Sequence, residues 1–159
     1  MTEYAKQLIL DIILREGELS NNKRDKGGCT KYGISTKSYP NIPIKDITIA
    51  DAIEIYHRDY YLASKCYAFP KEFQPVYLDS CVLHGIGWTR KALKTALKCT
   101  YVQLSNTALG FYSDKGIKTL INLLVDLRIN LVNRIVEKHP EQNTFIHGWI
   151  DRINSFRLE

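Results

Sequence analysis

The stretch from residue 17 to residue 35 most constrains the fold, because it cannot continue the helix predicted by the residues before it. Apolar side chains recur at helical spacing in residues 2–16, so we expect an amphipathic helix that ends near Glu16. The stretch that follows is rich in Gly, Asn, Asp and Lys, and Gly27–Gly28 permits backbone angles that other residues avoid. The sequence therefore predicts a small β-hairpin near residues 20–35 beside a helix end.

The rest of the sequence predicts helices, so the expected fold class is mostly α with about six helices. Thr48 is a plausible N-cap with Asp51 at the third helical position. An apolar segment from Val76 is expected to end or bend at Gly85, with Pro75 in the loop before it. The remaining predicted elements are a helix from Thr48 to about Tyr61, a basic helix over 88–99, a short element over 105–117, a regular helix over 119–138 and a final helix over 145–156.

The composition is that of a folded globular chain of one ordinary domain: 159 residues, 45% hydrophobic and 25% charged. No apolar run reaches the roughly 18 to 20 residues that span a bilayer. The N-terminal residues lack a basic segment followed by an apolar one, so no ordinary signal peptide is visible and synthesis in the cytoplasm is expected.

The cysteines and histidines do not predict a metal site or a disulfide framework. The cysteines form no CxxC pair, and the histidines have no ligand spacing beside them, so we expect free thiols and no metal. The residues concerned are Cys29, Cys66, Cys81, Cys99, His57, His84, His139 and His147.

The net charge of +5 lies in the second half of the chain. Residues 1–85 contain 11 Lys/Arg and 11 Asp/Glu, whereas residues 86–159 contain 11 and 6. A basic half favours a polyanionic partner such as nucleic acid or bacterial cell wall, and it is equally typical of a solvated basic face. Because no nucleic-acid-binding motif accompanies the charge, nucleic acid is not an expected partner.

The helix end and the turn-rich stretch also carry groups suited to glycoside hydrolysis. A carboxylate at a helix C-terminus faces the negative end of the helix dipole, which disfavours its ionised form, so Glu16 is placed to act as a general acid. Asp25 and Thr30 could hold a water for attack on the opposite face of the sugar, as in an inverting enzyme. The spacing alone fits equally a solvated helix end, a turn former and a strand residue.

Several motifs resemble one known family. Glu16-Gly17 with Asp25-x-Gly27-Gly28-x-Thr30-x-Tyr32-Gly33-Ile34-Ser35 resembles the signature of the glycoside hydrolase family 108 muramidases, phage lysozyme-like proteins also labelled secretion activator proteins. Ile55–Tyr61 is similar to that family's I-Y-x-x-D-Y-W element, and Asp79–Gly85 to its D-x-A-V-N-x-G helix. Gly116–Leu120 and Gly148–Arg152 resemble its C-terminal peptidoglycan-binding region.

The resemblance implies a lysozyme-like helical fold and an N-acetylmuramidase that cleaves the β-1,4 bond between N-acetylmuramic acid and N-acetylglucosamine. It places the catalytic glutamate on Glu16 and, by wider analogy to phage lysozymes, the assisting pair on Asp25 and Thr30. Residues 1–88 would be the catalytic region, and residues 89–159 a peptidoglycan-binding-like region packed in the same globule. The implied partner is bacterial peptidoglycan, reached by a monomer after release through a holin or an exporter.

The sequence departs from the family pattern at Glu18, where a second glycine is usual, and at Lys26, where proline is usual. Tyr60, Tyr61 and His84 are candidate substrate-binding residues, and each could instead be a packed core residue.

Two other functions stay open. A lytic transglycosylase also uses one acid, but it needs no water-holding pair and ends in an anhydro sugar. A non-catalytic wall-binding or secretion accessory protein could have kept the fold. Its support is Glu18 and also Leu83–His84, which stand where the family has asparagine and a variable residue.

Overall fold

A computed structural model describes residues 1–16, 19–20, 29–98 and 114–159, which form a mostly helical fold with one small antiparallel sheet. The predicted mostly α fold class with a small β-hairpin is therefore confirmed. Its helices are α1 (Glu3–Glu16), α2 (Ile49–Tyr56), α3 (Gln74–His84), α4 (Ile86–Leu97), α5 (Asp114–Lys138) and α6 (Asn143–Asn154). None of the helices in the described ranges is long and apolar enough to cross a membrane.

The chain divides into two compact units, residues 1–63 and residues 64–159. The predicted division into a catalytic region over 1–88 and a wall-binding region over 89–159 concerns activity, and it stays a prediction. Short 3-10 turns occur at Ile44–Asp46, Cys66–Ala68 and Pro140–Gln142.

In the first unit, a three-stranded antiparallel sheet follows α1 in the order β1 (Leu19–Ser20), β2 (Thr30–Lys31) and β3 (Ile34–Ser35). The register places Thr30 of the centre strand opposite Ser20 on one side and Ser35 on the other. The predicted hairpin thus has a third, preceding strand that the sequence pattern did not indicate.

A capping box in the sequence sets the start of α2, the second helix of the first unit. Thr48 and Asp51 form the predicted capping box, in which each side chain accepts a hydrogen bond from the other residue's backbone N–H. α2 continues directly into a π-helix, His57–Leu62. The length of the predicted helix, to about Tyr61, is therefore confirmed, but its second part is a π-helix rather than an α-helix. α1 packs against both α2 and this π-helix, burying aliphatic side chains such as Ile9 and Ile13.

In the second unit, α3 packs against α4 and α5, and α5 packs against α6. Gly85 separates α3 from α4 with a φ of 84°, a left-handed value open to glycine at little cost, which confirms the predicted break. The prediction that Pro75 lies in a loop is wrong. Pro75 occupies the first turn of α3, where its missing N–H would be unpaired in any case.

The last three helices of the second unit start earlier than predicted. α4 begins at Ile86 rather than 88, α5 at Asp114 rather than 119, and α6 at Asn143 rather than 145. The predicted short element over 105–117 lies outside the described residues up to position 113. Within α5 the core includes Leu120, Leu124 and also Arg128, which the aliphatic pattern did not indicate.

Three of the four cysteines, Cys29, Cys66 and Cys81, are free thiols as predicted, and Cys99 lies outside the described residues. Burial raises the pKa of the Cys81 thiol to about 11 and raises that of Cys66 further. Within the described ranges, no three His, Cys, Asp or Glu side chains lie together as a metal-binding group.

Candidate active site

The chain between them limits the distance from the end of α1 to the centre of the sheet. Glu16 is the last residue of α1, and Ser20 of β1 pairs with Thr30 of β2. Four residues of extended chain span at most about 14 Å, and antiparallel partners lie about 5 Å apart, so the Cα atoms of Glu16 and Thr30 lie within about 20 Å. Asp25, as well as Glu18 and Lys26, falls outside the described residues.

Thr30 is held on both sides by the sheet. Its neighbours across the ladder are Ser20 and Ser35, and beyond this pairing the backbone N–H of Thr36 donates to the Cys29 carbonyl over 3.0 Å. The side chain of Thr30 is half-buried. A hydroxyl at this position is therefore placed by the backbone of three strands rather than by a loop.

A strained turn connects β2 to β3, and α2 fixes its position. Tyr32 and Gly33 have φ values of 54° and 76°, the pair of positive angles required by a type I′ hairpin turn. For Tyr32 this backbone conformation costs roughly 1–2 kcal/mol. The Tyr56 hydroxyl at the end of α2 donates to the Tyr32 carbonyl over 3.0 Å, so the helix stabilises the turn that follows Thr30.

The π-helix holds the loop after the sheet through a second tyrosine. The Tyr39 hydroxyl donates to Asp59 over 2.8 Å, while Arg58 donates to both oxygens of the same carboxylate over 2.6 and 2.8 Å. The Arg58 hydrogen bond lowers the pKa of Asp59, so this carboxylate is ionised at neutral pH. Sequence reasoning missed the hydrogen bond between Tyr39 and Asp59.

The two tyrosines predicted to bind substrate differ in exposure. Tyr61 is buried and stacks on His57, with ring centroids 5.6 Å apart, which favours a packing role. Tyr60 is half-buried and lies against Tyr56 at 5.3 Å. Contact with substrate remains a prediction for both, and it is better supported for Tyr60.

His84, the third predicted substrate residue, lies in the second unit at the wall of a cavity of about 230 Å³. The cavity is lined by side chains from α3, α5 and α6, including Val132, Ile135 and Trp149. Burial, reinforced by the positive charge of Arg128, lowers the pKa of His84 to about 4, so the imidazole is neutral at pH 7. Its Nε2 atom is buried without a hydrogen-bond partner among the described residues.

One turn before His84 in α3, a buried ion cluster connects three helices of the second unit. Asp79 accepts hydrogen bonds from Arg128 of α5 over 2.5 Å and from Arg152 of α6 over 2.7 Å. Asp79 and Arg128 are both 0% exposed. Sequence reasoning predicted neither of the two arginine partners of Asp79.

Comparisons with known proteins agree with the predicted family. A family model described as Glycosyl hydrolase 108 matches residues 9–85, which run from the second half of α1 through the sheet, α2 and the π-helix to the end of α3. A solved structure of SagA from Brucella abortus superposes with a TM-score of 0.79 over 96% of this chain and 91% of that one, at 19% identity. This likeness shows a shared fold, and the predicted lysozyme-like helical architecture is confirmed.

No curated protein sequence matches the chain. The family match ends at Gly85, so the predicted C-terminal peptidoglycan-binding region lies beyond it and stays a prediction. Within the matched range lie the second half of α1, with Glu16, and the centre strand, with Thr30. Residues 9–85 of this chain are therefore similar to glycosyl hydrolase family 108.

Proposed function

We propose that the protein is an N-acetylmuramidase that hydrolyses the β-1,4 bond between N-acetylmuramic acid and N-acetylglucosamine in bacterial peptidoglycan. The observation that carries the proposal is the family match over residues 9–85, which contains Glu16, Asp25 and Thr30 in one motif. The match to this family supports a peptidoglycan hydrolase, and the bond and the catalytic residues are the proposal.

The proposed acid is Glu16, because it ends a helix of 14 residues. The unpaired carbonyl groups of the last turn give the helix C-terminus a partial negative charge, which disfavours a carboxylate there. A protonated Glu16 would donate to the glycosidic oxygen as its bond to C1 breaks. General acids of this kind contribute about 10²- to 10⁴-fold to a rate.

The proposed water-holding pair is Asp25 with Thr30. The sheet and the Tyr56 hydrogen bond fix the strand that carries Thr30, so its hydroxyl can orient a water without a large reorganisation. Asp25 would take a proton from this water as its oxygen bonds to C1 on the face opposite the leaving group. The anomeric configuration would then invert.

The remaining predictions on setting belong to the same proposal. Peptidoglycan is the proposed partner, with Tyr60 as a sugar-contacting residue, and the protein would act as a monomer on the cell wall after release by a holin or an exporter. Its only reactants are the glycan and water, so no cofactor is part of the proposed reaction.

The test is the chemistry of the fragments released from purified peptidoglycan. After borohydride reduction and mass spectrometry, a muramidase leaves reduced N-acetylmuramic acid at the new end. Fragments lighter by one water that resist reduction would instead identify a lytic transglycosylase. Reduced N-acetylglucosamine would contradict the proposed bond. Co-sedimentation with insoluble peptidoglycan and no fragments would favour the non-catalytic alternative.

A further inference from the structure

We propose that a groove between α4 and α5 in the second unit binds a sugar phosphomonoester. The groove has a volume of about 380 Å³, within the range of roughly 300–1,000 Å³ that is usual for pockets that bind small molecules. None of the residues proposed to act in hydrolysis lines it. The proposal is therefore independent of muramidase activity.

The groove is formed by one face of each helix. On α4 the lining residues recur at intervals of three and four positions, which places them on a single face; they are Trp88, Lys91, Ala92, Thr95 and Ala96. On α5 the lining residues are Leu127 and Arg134, two turns apart. The small side chains of Ala92 and Ala96 leave the space that a ligand ring requires.

The charge of the groove favours a dianion. Its lining contains two exposed cations, Lys91 on α4 and Arg134 on α5, and no carboxylate. Neither cation forms an ion pair with any described residue. Two positive charges without an acid match a phosphomonoester, which carries a charge of about −1.5 to −2 at pH 7.

The cationic groups differ in a way that suits a phosphate. Arg134 donates from Nε to the Asn130 carbonyl over 3.1 Å, which holds the guanidinium to its own helix and leaves the two Nη atoms for a ligand. An arginine binds two phosphate oxygens through its planar fork, whereas a lysine acts as a point charge with rotatable donors. Thr95, one turn from Lys91 on the same face, adds a hydroxyl.

The indole of Trp88 provides a surface for the ring of the ligand. Trp88 is half-buried and lies against His84, with ring centroids 5.2 Å apart, so packing holds it in place while it lines the groove. An aromatic face packs on the C–H face of a sugar ring or on a nucleotide base. Trp88 and Lys91 are neighbours on the surface of α4, so a ring on the indole brings its phosphate near the lysine.

The test is isothermal titration calorimetry of the full chain with three ligands that share one sugar: N-acetylglucosamine 6-phosphate, N-acetylglucosamine and N-acetylmuramic acid. We expect saturable binding of the phosphate and at least about tenfold weaker binding of the neutral sugar, since only the phosphate carries charge. Equal binding of these two ligands, or no binding of the phosphate, would overturn the proposal. Tighter binding of N-acetylmuramic acid, which has one carboxylate on the same sugar, would also contradict it, because the groove would then be a site for the wall glycan.

Two further ligands show what the indole contacts. Adenosine 5′-monophosphate offers a base, and inorganic phosphate offers no ring. Tighter binding of adenosine 5′-monophosphate than of the amino-sugar phosphate would support the proposal with the indole on a base, whereas equal or weaker binding would support it with the indole on a sugar. Inorganic phosphate that binds as tightly as both esters would refute the role of Trp88 and with it the choice of a sugar ester.

Variants locate the site. Lys91→Gln combined with Arg134→Gln should weaken binding of N-acetylglucosamine 6-phosphate at least about tenfold, because both charges are removed. The matched control is Lys94→Gln combined with Lys138→Gln, which removes two charges from the same helices outside the groove and should leave the affinity unchanged. Ala96→Phe fills the groove from an exposed position. A folded Ala96→Phe protein that binds with wild-type affinity would place the ligand elsewhere and refute the assignment.

Discussion

Replacement of Asp79 by asparagine removes the carboxylate that pairs with Arg128 and Arg152. Asp79 and Arg128 are 0% exposed, and the Arg152 side chain is 15% exposed. Asparagine is nearly isosteric, so the variant tests charge with little change of volume. Two positive charges would then face each other across a neutral amide in a site with little access to water.

The expected cost follows from burial. Loss of one partner of a buried ion pair destabilises a protein by about 3–5 kcal/mol. For a domain of this size each kcal/mol lowers Tm by about 2–4 °C, so the expected decrease is about 6–20 °C. Asp126→Asn is the matched control, because Asp126 pairs with Arg157 at 2.5 Å while its side chain is 59% exposed. Exposed pairs contribute about 0–1 kcal/mol.

The assay is thermal and urea unfolding of both variants, followed by far-UV circular dichroism. Asp79→Asn should lose several times more stability than Asp126→Asn at the same pH and ionic strength. Equal losses of stability for the two variants would refute the reasoning. They would show that the buried ion pairs of Asp79 contribute no more to stability than the exposed pair of Asp126 and Arg157.

Three further predictions concern stability and site geometry. Tyr56→Phe should cost about 0.5–1.5 kcal/mol in urea unfolding and lower kcat more than it changes KM, because the Tyr32 carbonyl loses its donor and the strand of Thr30 is held less firmly. Normal kcat would contradict that positioning role. Thr48→Ala should cost about 0.5–2 kcal/mol by removing the capping box, and Thr48→Ser should restore most of it. For His84, whose pKa falls from 6.5 to about 4 on folding, the unfolded chain binds a proton in this pH window and the native chain does not. Wild-type stability should therefore decrease relative to His84→Gln as the pH is lowered from 6.5 to 4, and an NMR titration of His84 with a midpoint near 6.5 would contradict this.

Local signals predicted the elements around the proposed catalytic residues. The periodicity of α1 and the loss of it after Glu16 located the helix end, and the glycine-rich stretch located the sheet. The Thr48 capping box could be predicted because both partners lie within one turn. In each case the groups that determine the structure are close together in sequence.

The features that could not be predicted depend on distant contacts. Asp79 lies 49 residues from Arg128 and 73 from Arg152, and no local pattern identifies such partners. One signal was present, since Arg128 interrupts the aliphatic face of α5 at one turn from Leu124. An arginine on a buried face requires a buried anion, and the apolar segment of α3 contains Asp79 as its carboxylate.

The π-helix also escaped prediction. Periodicity in the sequence indicates a helical face but does not distinguish α from π winding, which here accompanies the packing of α1 on both segments. The π-helix contains Asp59, which accepts hydrogen bonds from Tyr39 and Arg58.

The most direct test of the central claim is the rate of reducing-end release from purified peptidoglycan by the wild-type protein, Glu16→Gln and Glu3→Gln. Glu3 lies in the first turn of the same helix and receives the same chemical change, which makes it the matched control. We predict that Glu16→Gln loses at least about 100-fold in rate while remaining folded, because the glutamine amide cannot donate the acid's proton. Glu3→Gln should keep the wild-type rate. Normal release by a folded Glu16→Gln protein would contradict the assignment of Glu16 as the general acid.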